Sequence, residues 1–169
     1  MIRQTPWIER KFEFNFPVGI FPVIIERLKG TSPRIAAIIK NKHEHELTEK
    51  TAGSWSVKEQ IGHLYDLEEL WYGRIEDFLV GKETLRAADM TNAKTADANH
   101  NGKKIDELMI QFAESRNKLI SKVENIKEAT ASITAIHPRL QKPMRLVDSL
   151  FFVAEHDDHH LAKIRELLS

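Results

Sequence analysis

Between Leu146 and Leu168 the apolar residues Leu146, Val147, Leu150, Val153, Ala154, Leu161, Ile164 and Leu168 recur at helical spacing, and His156, His159 and His160 fall inside the same run. A single apolar stripe with that period commits the segment to a helix burying one face against other elements. On such a helix His156 and His160 stand one turn apart on one side, while His159 points roughly 60–100° away from them. Two imidazoles so placed can share an ion, and a divalent metal that binds nitrogen usually wants a third protein ligand.

The rest of the chain repeats the helical pattern. Ser56-Val57-Lys58-Glu59 fits a capping box, in which serine and glutamate exchange hydrogen bonds with each other's backbone. Ile61, Leu64, Leu67, Leu70, Trp71, Ile75 and Phe78 then mark one buried face up to Gly81. His63 sits on the flank of that face and is expected to look inward or along a groove. A third long helix is expected over 103–125, with Ile105, Leu108, Met109, Phe112, Leu119, Ile120 and Val123 inward. Near the N-terminus the spacing predicts a helix over 18–28, an interruption at Lys29-Gly30, and a restart to Lys42 with Ser32 as cap and Pro33 in the first turn. Residues 1–17, with Phe12, Phe14 and Phe16 on one side, read as an extended arm laid on the body. Without a convincing strand, the chain reads as an all-α bundle forming one domain over 1–169.

Two connections interrupt the helices. Residues 82–102 are polar and short-sided, as in a lid or crossover, with His100 as an exposed turn residue at the site rim. Residues 126–143 carry His137-Pro138-Arg139-Leu140, and Pro143 is placed to start the last helix. His43 and His45, at a charged helix end, are left out of the site, because an i, i+2 pair faces different sides of a helix.

Composition removes several function classes. Lys and Arg number 25 against 25 Asp and Glu, so no nucleic-acid or anionic-membrane partner is expected. The chain has no cysteine, which excludes disulfides, thiolate metal sites and a cysteine nucleophile. The N-terminus offers no signal-peptide core, and no run reaches the roughly 18 apolar residues of a membrane span. A soluble, cytoplasmic protein is expected.

His63, His156 and His160 together form a candidate three-nitrogen metal site with coordination positions left open, the feature that separates catalytic from closed structural sites. Zinc and nickel both suit imidazole. Asp157 falls near the middle of the apolar face of its helix, where a carboxylate must be paired, bonded or bound. Two readings stand for it: an acceptor orienting His63 or another ligand from behind, or an ion pair with Arg74 or Arg116. Asp158 and His159 are expected to face outward. His137 and Arg139, on the loop entering the last helix, are candidates to contact a small-molecule substrate. The zinc-protease pattern H-E-x-x-H fits HDDHH poorly, since aspartate replaces the glutamate and only Glu166 remains downstream as a third ligand. Di-iron bundles require paired Glu-x-x-His motifs, which are missing.

The pieces GSWSVKEQIGHL, HPRL and KPMRLVDSLFFVAEHDDHHLAKI, in this order and spacing, resemble the DinB/YfiT-like superfamily of metalloenzymes over about Arg34 to Leu168. The resemblance implies a four-helix bundle of up-down-down-up type, a homodimer, and a metal held by the residues here numbered His63, His156 and His160. It also implies a function among metal-dependent hydrolases, S-transferases using low-molecular-weight thiols, and thiol-dependent isomerases. A metal-dependent enzyme activating a small thiol or water against a small electrophile is therefore the expectation. The alternatives are a stress-response or binding bundle whose metal is structural, and a metal-free polar core network.

Overall fold

The structure, a computed structural model, describes residues 2–51 and 53–169; Met1 of the expected arm lies outside them. In chain order the elements are α1 (Phe21–Ile39), α2 (Glu44–Thr48), α3 (Val57–Leu79), α4 (Ala93–Asp97), α5 (Ile105–Val123), α6 (Glu128–Ala131), the strands β1 (Thr134–His137) and β2 (Lys142–Arg145), and α7 (Leu146–Leu167). The long helices α1, α3, α5 and α7 form a four-helix bundle.

Contacts fix their directions. Arg27 meets Glu155 and Thr31 meets Asp157, while Lys42 reaches the carbonyl of Leu168, so α1 and α7 run parallel. Lys58 meets Lys103, Glu68 meets Arg116 and Tyr72 meets Lys122, so α3 and α5 are also parallel. His160 bonds to Gln60 while Trp71 packs on Phe152, which makes α3 and α7 antiparallel. The order is up-down-down-up, and it explains the long connection at 82–102. Two consecutive parallel helices require a return path along α3, whose 23 residues span about 35 Å.

Each long helix contributes to three layers. One apolar cluster holds Ile24, Leu28, Trp71, Phe78, Leu119 and Leu150. The other holds Ile35, Ile61, Leu64, Phe112, Leu161 and Ile164. Between them lies a buried polar layer in which Arg116 of α5 joins Glu68 of α3 and Asp157 of α7, while Thr31 of α1 bonds Asp157.

Several expectations are corrected. Helix α1 runs unbroken through Gly30 and Pro33, because Ile24, Leu28, Thr31 and Ile35 keep one buried stripe in phase across both. Pro33 removes one backbone bond, and the side chains of Thr31 and Arg34 bond the carbonyls of Arg27 and Gly30 beside the gap. Pro143 does not start the last helix; it pairs with Ile136 in a short antiparallel hairpin, on an edge strand that tolerates proline. Arg145 precedes α7 and bonds Asp148. The Ser56–Glu59 capping box forms as expected, an interaction worth about 1 kcal/mol. In the arm, Phe12 is buried and Phe14 and Phe16 are half-buried, while Lys11, Glu13 and Asn15 face outward.

Candidate metal centre

Helices α3 and α7 pack antiparallel, which brings His63 opposite the one-turn pair on α7. Ring centroids lie 4.9 Å apart for His63 and His160, 5.4 Å for His63 and His156, and 4.4 Å for His156 and His160. One ring nitrogen from each lies within 4.8 Å of the others, and all three residues are buried.

The surrounding hydrogen bonds dictate where the protons sit. Thr95 donates its hydroxyl to Asp66 at 2.9 Å, so its oxygen accepts from His63 Nδ1 at 3.2 Å. His63 is left with its lone pair on Nε2. Gln60 Oε1 accepts from His160 Nδ1 at 2.6 Å, which likewise frees Nε2 of His160. That Nε2 lies 3.1 Å from Nε2 of His156, whose Nδ1 is buried with no partner among the described residues. Burial holds His63 down to about 4, with the charge of Asp66 opposing only part of that shift. His156 and His160 are pushed well below the usual imidazole range, by burial first and by neighbouring imidazoles next. Three neutral rings, two with their inner lone pairs fixed from behind, form the donor set that a divalent cation requires. The residues fit such an ion.

His100, expected as an exposed turn residue, is fully buried. Its Nε2 lies 2.8 Å from the same Asp66 oxygen, completing a chain from His100 through Asp66 and Thr95 to His63. The ring occupies space that only glycine leaves open on α3: a Cβ at Gly62 would fall 2.2 Å from His100 Cγ. Gly62 and Gly73 lie on the same side of α3, with Asp66 between them, and the crossover lies along that side. This phase relation was the available signal for an outer shell that sequence reasoning assigned elsewhere.

Asp157 does not reach His63. Its carboxylate is engaged by Arg116 at 2.5 and 3.2 Å and by Thr31 at 2.7 Å, so the ion pair with Arg116 describes it. Asp158 faces outward as expected, pairing with Arg27 and Arg34. His159 does not face solvent, because Gln4 of the arm bonds its ring at 3.0 Å and its carbonyl at 3.1 Å.

The three histidines line a cavity of about 460 Å³ together with His137 and Arg139. Its apolar walls include Leu67, Trp55, Trp71 and Phe152, and the arm supplies Trp7, whose ring packs 4.9 Å from both Phe152 and His156. A concave, largely apolar space with a few convergent polar groups is the usual form of a small-molecule site. Arg10 ties the arm down through Glu155 at 2.5 Å. Among the described residues, no helix is long and apolar enough to cross a membrane.

A family model described as the DinB superfamily matches residues 27–164, and the chain belongs to that superfamily. Among solved structures it is similar to YfiT from Bacillus subtilis, with a TM-score of 0.81 and 18% identity, over 94% of this chain and 91% of that one. YfiT is described as a probable metal-dependent hydrolase with an unusual four-helix bundle topology, and at this identity the likeness establishes the fold. No curated protein matches the sequence.

Proposed function

We propose that His63, His156 and His160 bind one divalent cation, zinc or nickel, and that the protein is a metal-dependent enzyme acting on a small electrophilic molecule held in the adjoining cavity. The observation that carries this reading is the convergence of three buried, neutral imidazoles at the wall of an open cavity. Three protein ligands leave coordination positions for a reactant. The description of YfiT as a probable metal-dependent hydrolase supports the same direction.

When bound, such an ion supplies Lewis-acid chemistry, acidifying a water or a low-molecular-weight thiol and polarising a substrate oxygen. The chain's own residues do the rest. Thr95 and Gln60 hold the protons of His63 and His160 on the outer nitrogens, so that the inner ones stay free. Trp7, Trp71 and Phe152 give the cavity beside the reacting groups an apolar wall. Asp89 is the one carboxylate among the described cavity-lining residues, and both its oxygens already accept from Thr91 and Ala93. Asp89 is thus held by its own loop, and activation of the nucleophile rests on acidification by the bound ion, which a thiol, the stronger acid, needs less than water does.

Elemental analysis of protein loaded with zinc or nickel, beside His63→Ala and His156→Ala, tests the centre. One ion per chain is expected in the parent and a loss in each variant. Loaded and chelated protein are then compared for ester hydrolysis and for coupling a small thiol to a chromogenic electrophile. Equal metal content in parent and variants refutes the ligand set. Equal rates with and without metal refute the enzyme reading and leave the ion a structural part.

A further inference from the structure

A second part of the cavity wall holds hydrogen-bond donors that have no acceptor. His137 ends β1, and its Nδ1 faces the backbone N–H groups of Arg139 and Leu140, both at 3.2 Å. The lone pair of this neutral ring is therefore on Nδ1 and its proton on Nε2. That Nε2–H faces Nη1 of Arg74 at 3.0 Å, and a guanidinium nitrogen can only donate. Two donors confront each other in the interior, where His137 and Arg74 are each 2% exposed. A third donor, Nη2 of Arg139, is buried with no partner among the described residues.

Counter-charge is missing as well. Arg74 donates its Nε to the carbonyl of Arg86 at 3.0 Å. Asp77, the acid whose charge reaches Arg74, is occupied by Arg86 and Lys82. Asp89 caps its own loop, as described above. Burial draws Arg74 down to about 10 and lowers Arg139, so both stay cationic at neutral pH in a place that disfavours charge. The ring of Trp71, 5.3 Å from the Arg74 guanidinium, and that of Phe152, 5.7 Å from Arg139, offset part of this cost, but a buried cation without a counter-charge stays costly unless something supplies one. An oxyanion seated beside the Arg74–His137 contact and within reach of Arg139 would accept from these donors, a carboxylate offsetting one of the two positive charges and a phosphate dianion both.

We propose that Arg74, His137 and Arg139 form an oxyanion subsite, and that the substrate is a small organic acid with an apolar or aromatic body. Its carboxylate or phosphate is held by those three donors. Its body lies along Phe152 and Trp7, which bridge the two parts of the cavity: Phe152 packs 5.1 Å from the His137 ring, and Trp7 packs 4.9 Å from both Phe152 and His156. Its reactive group then points at the three histidines. Only this last placement rests on the metal-centre reading; the subsite itself does not need the ion.

Benzoate, its neutral counterpart benzamide, and phenyl phosphate are titrated into the full chain, zinc-loaded and chelated, with tryptophan fluorescence as the readout. Benzoate or phenyl phosphate is expected to bind roughly tenfold or more tightly than benzamide, the effect of one charge-assisted hydrogen bond. The tighter of the two anions identifies the substrate's group. Arg139 lies on a hairpin turn, and Arg139→Gln is expected to erase the preference while zinc content stays unchanged. Equal binding of benzoate, phenyl phosphate and benzamide overturns the subsite, and so does failure of both anions to bind. A preference that survives undiminished in chelated Arg139→Gln also overturns it, since Arg139 then holds no anion; a preference present only in zinc-loaded protein overturns it too, since the ion then holds the anion. If the chain holds no zinc yet keeps an Arg139-dependent preference, the metal centre fails and the subsite stands.

Discussion

Replacing Arg116 by methionine tests how the bundle is held in register. Arg116 is 2% exposed and bonds Glu68 at 2.6 and 3.1 Å, Asp157 at 2.5 and 3.2 Å, and the carbonyl of Leu28 at 3.3 Å. It thus joins helices α1, α3, α5 and α7 in one layer. Methionine preserves most of the volume but leaves two buried carboxylates without their cation, a change that costs about 3–5 kcal/mol. At a urea slope of about 2 kcal/mol per molar, Arg116→Met moves the unfolding midpoint down by about 2 M. Asp157→Asn weakens the charge-assisted bonds and costs about 1.5–3 kcal/mol. Glu68→Gln is the mildest, at about 1 kcal/mol or less, because its amide oxygen still accepts from Arg116 and one of two competing negative charges disappears. Burial raises the pKa of Glu68, and Arg116 opposes that shift only in part. The folded state therefore binds this proton more tightly than the unfolded chain does. The stability it adds is present below the ordinary value of 4.5 and is lost as pH rises through the folded value. Glu68→Gln should accordingly flatten the decline in stability above pH 4.5. Urea titrations at several pH values read all three variants. A Glu68→Gln cost equal to that of Arg116→Met, or an Arg116→Met cost under about 1 kcal/mol, refutes the reasoning.

Three further outcomes follow from the centre and its surroundings. Thr95→Val removes the acceptor that fixes the His63 proton, so zinc affinity should fall about 10–100-fold in competition with a fluorescent chelator, and unchanged affinity would count against the relay. Gly62→Ala places a methyl group where the His100 ring sits, costing about 1–3 kcal/mol. It should also speed proteolysis within 82–102, and a digestion pattern like the parent's would contradict that packing. In chelated protein, His63 (about 4) and His137 (about 3) lie below the ordinary 6.5, so the unfolded chain takes up their protons first. Their stabilisation is complete above 6.5 and lost as pH falls toward those values, at up to about 1.4 kcal/mol per pH unit for each group. Acid titration of the parent against His137→Gln checks this, and parallel curves would negate it.

Much of this architecture was legible in the sequence, because helical periodicity reports which face of a segment is buried. The stripes 61–78, 105–123 and 146–168 mark α3, α5 and α7, and the Ser56 box marks where α3 begins. The approach of His63 to His156 and His160 needs only that α3 and α7 pack face to face. Local rules misled where tertiary packing outweighed them. Gly30 and Pro33 argue for a break, yet the in-phase stripe Ile24, Leu28, Thr31 and Ile35 gains more by staying one helix. His100 and Thr95 sit in a polar segment without periodicity, so their burial became visible only once the crossover was laid along α3. The partner of Asp157 remained undecided because helical spacing gives a direction but not which arginine meets it.

The arm has a practical consequence. Gln4 touches the residue beside His160, and Trp7 walls the cavity. A polyhistidine purification leader attached to this arm would bring foreign imidazoles to a segment that packs on the histidine cluster, where they compete for the ion. Metal stoichiometry and turnover are therefore best measured on protein freed of any N-terminal extension.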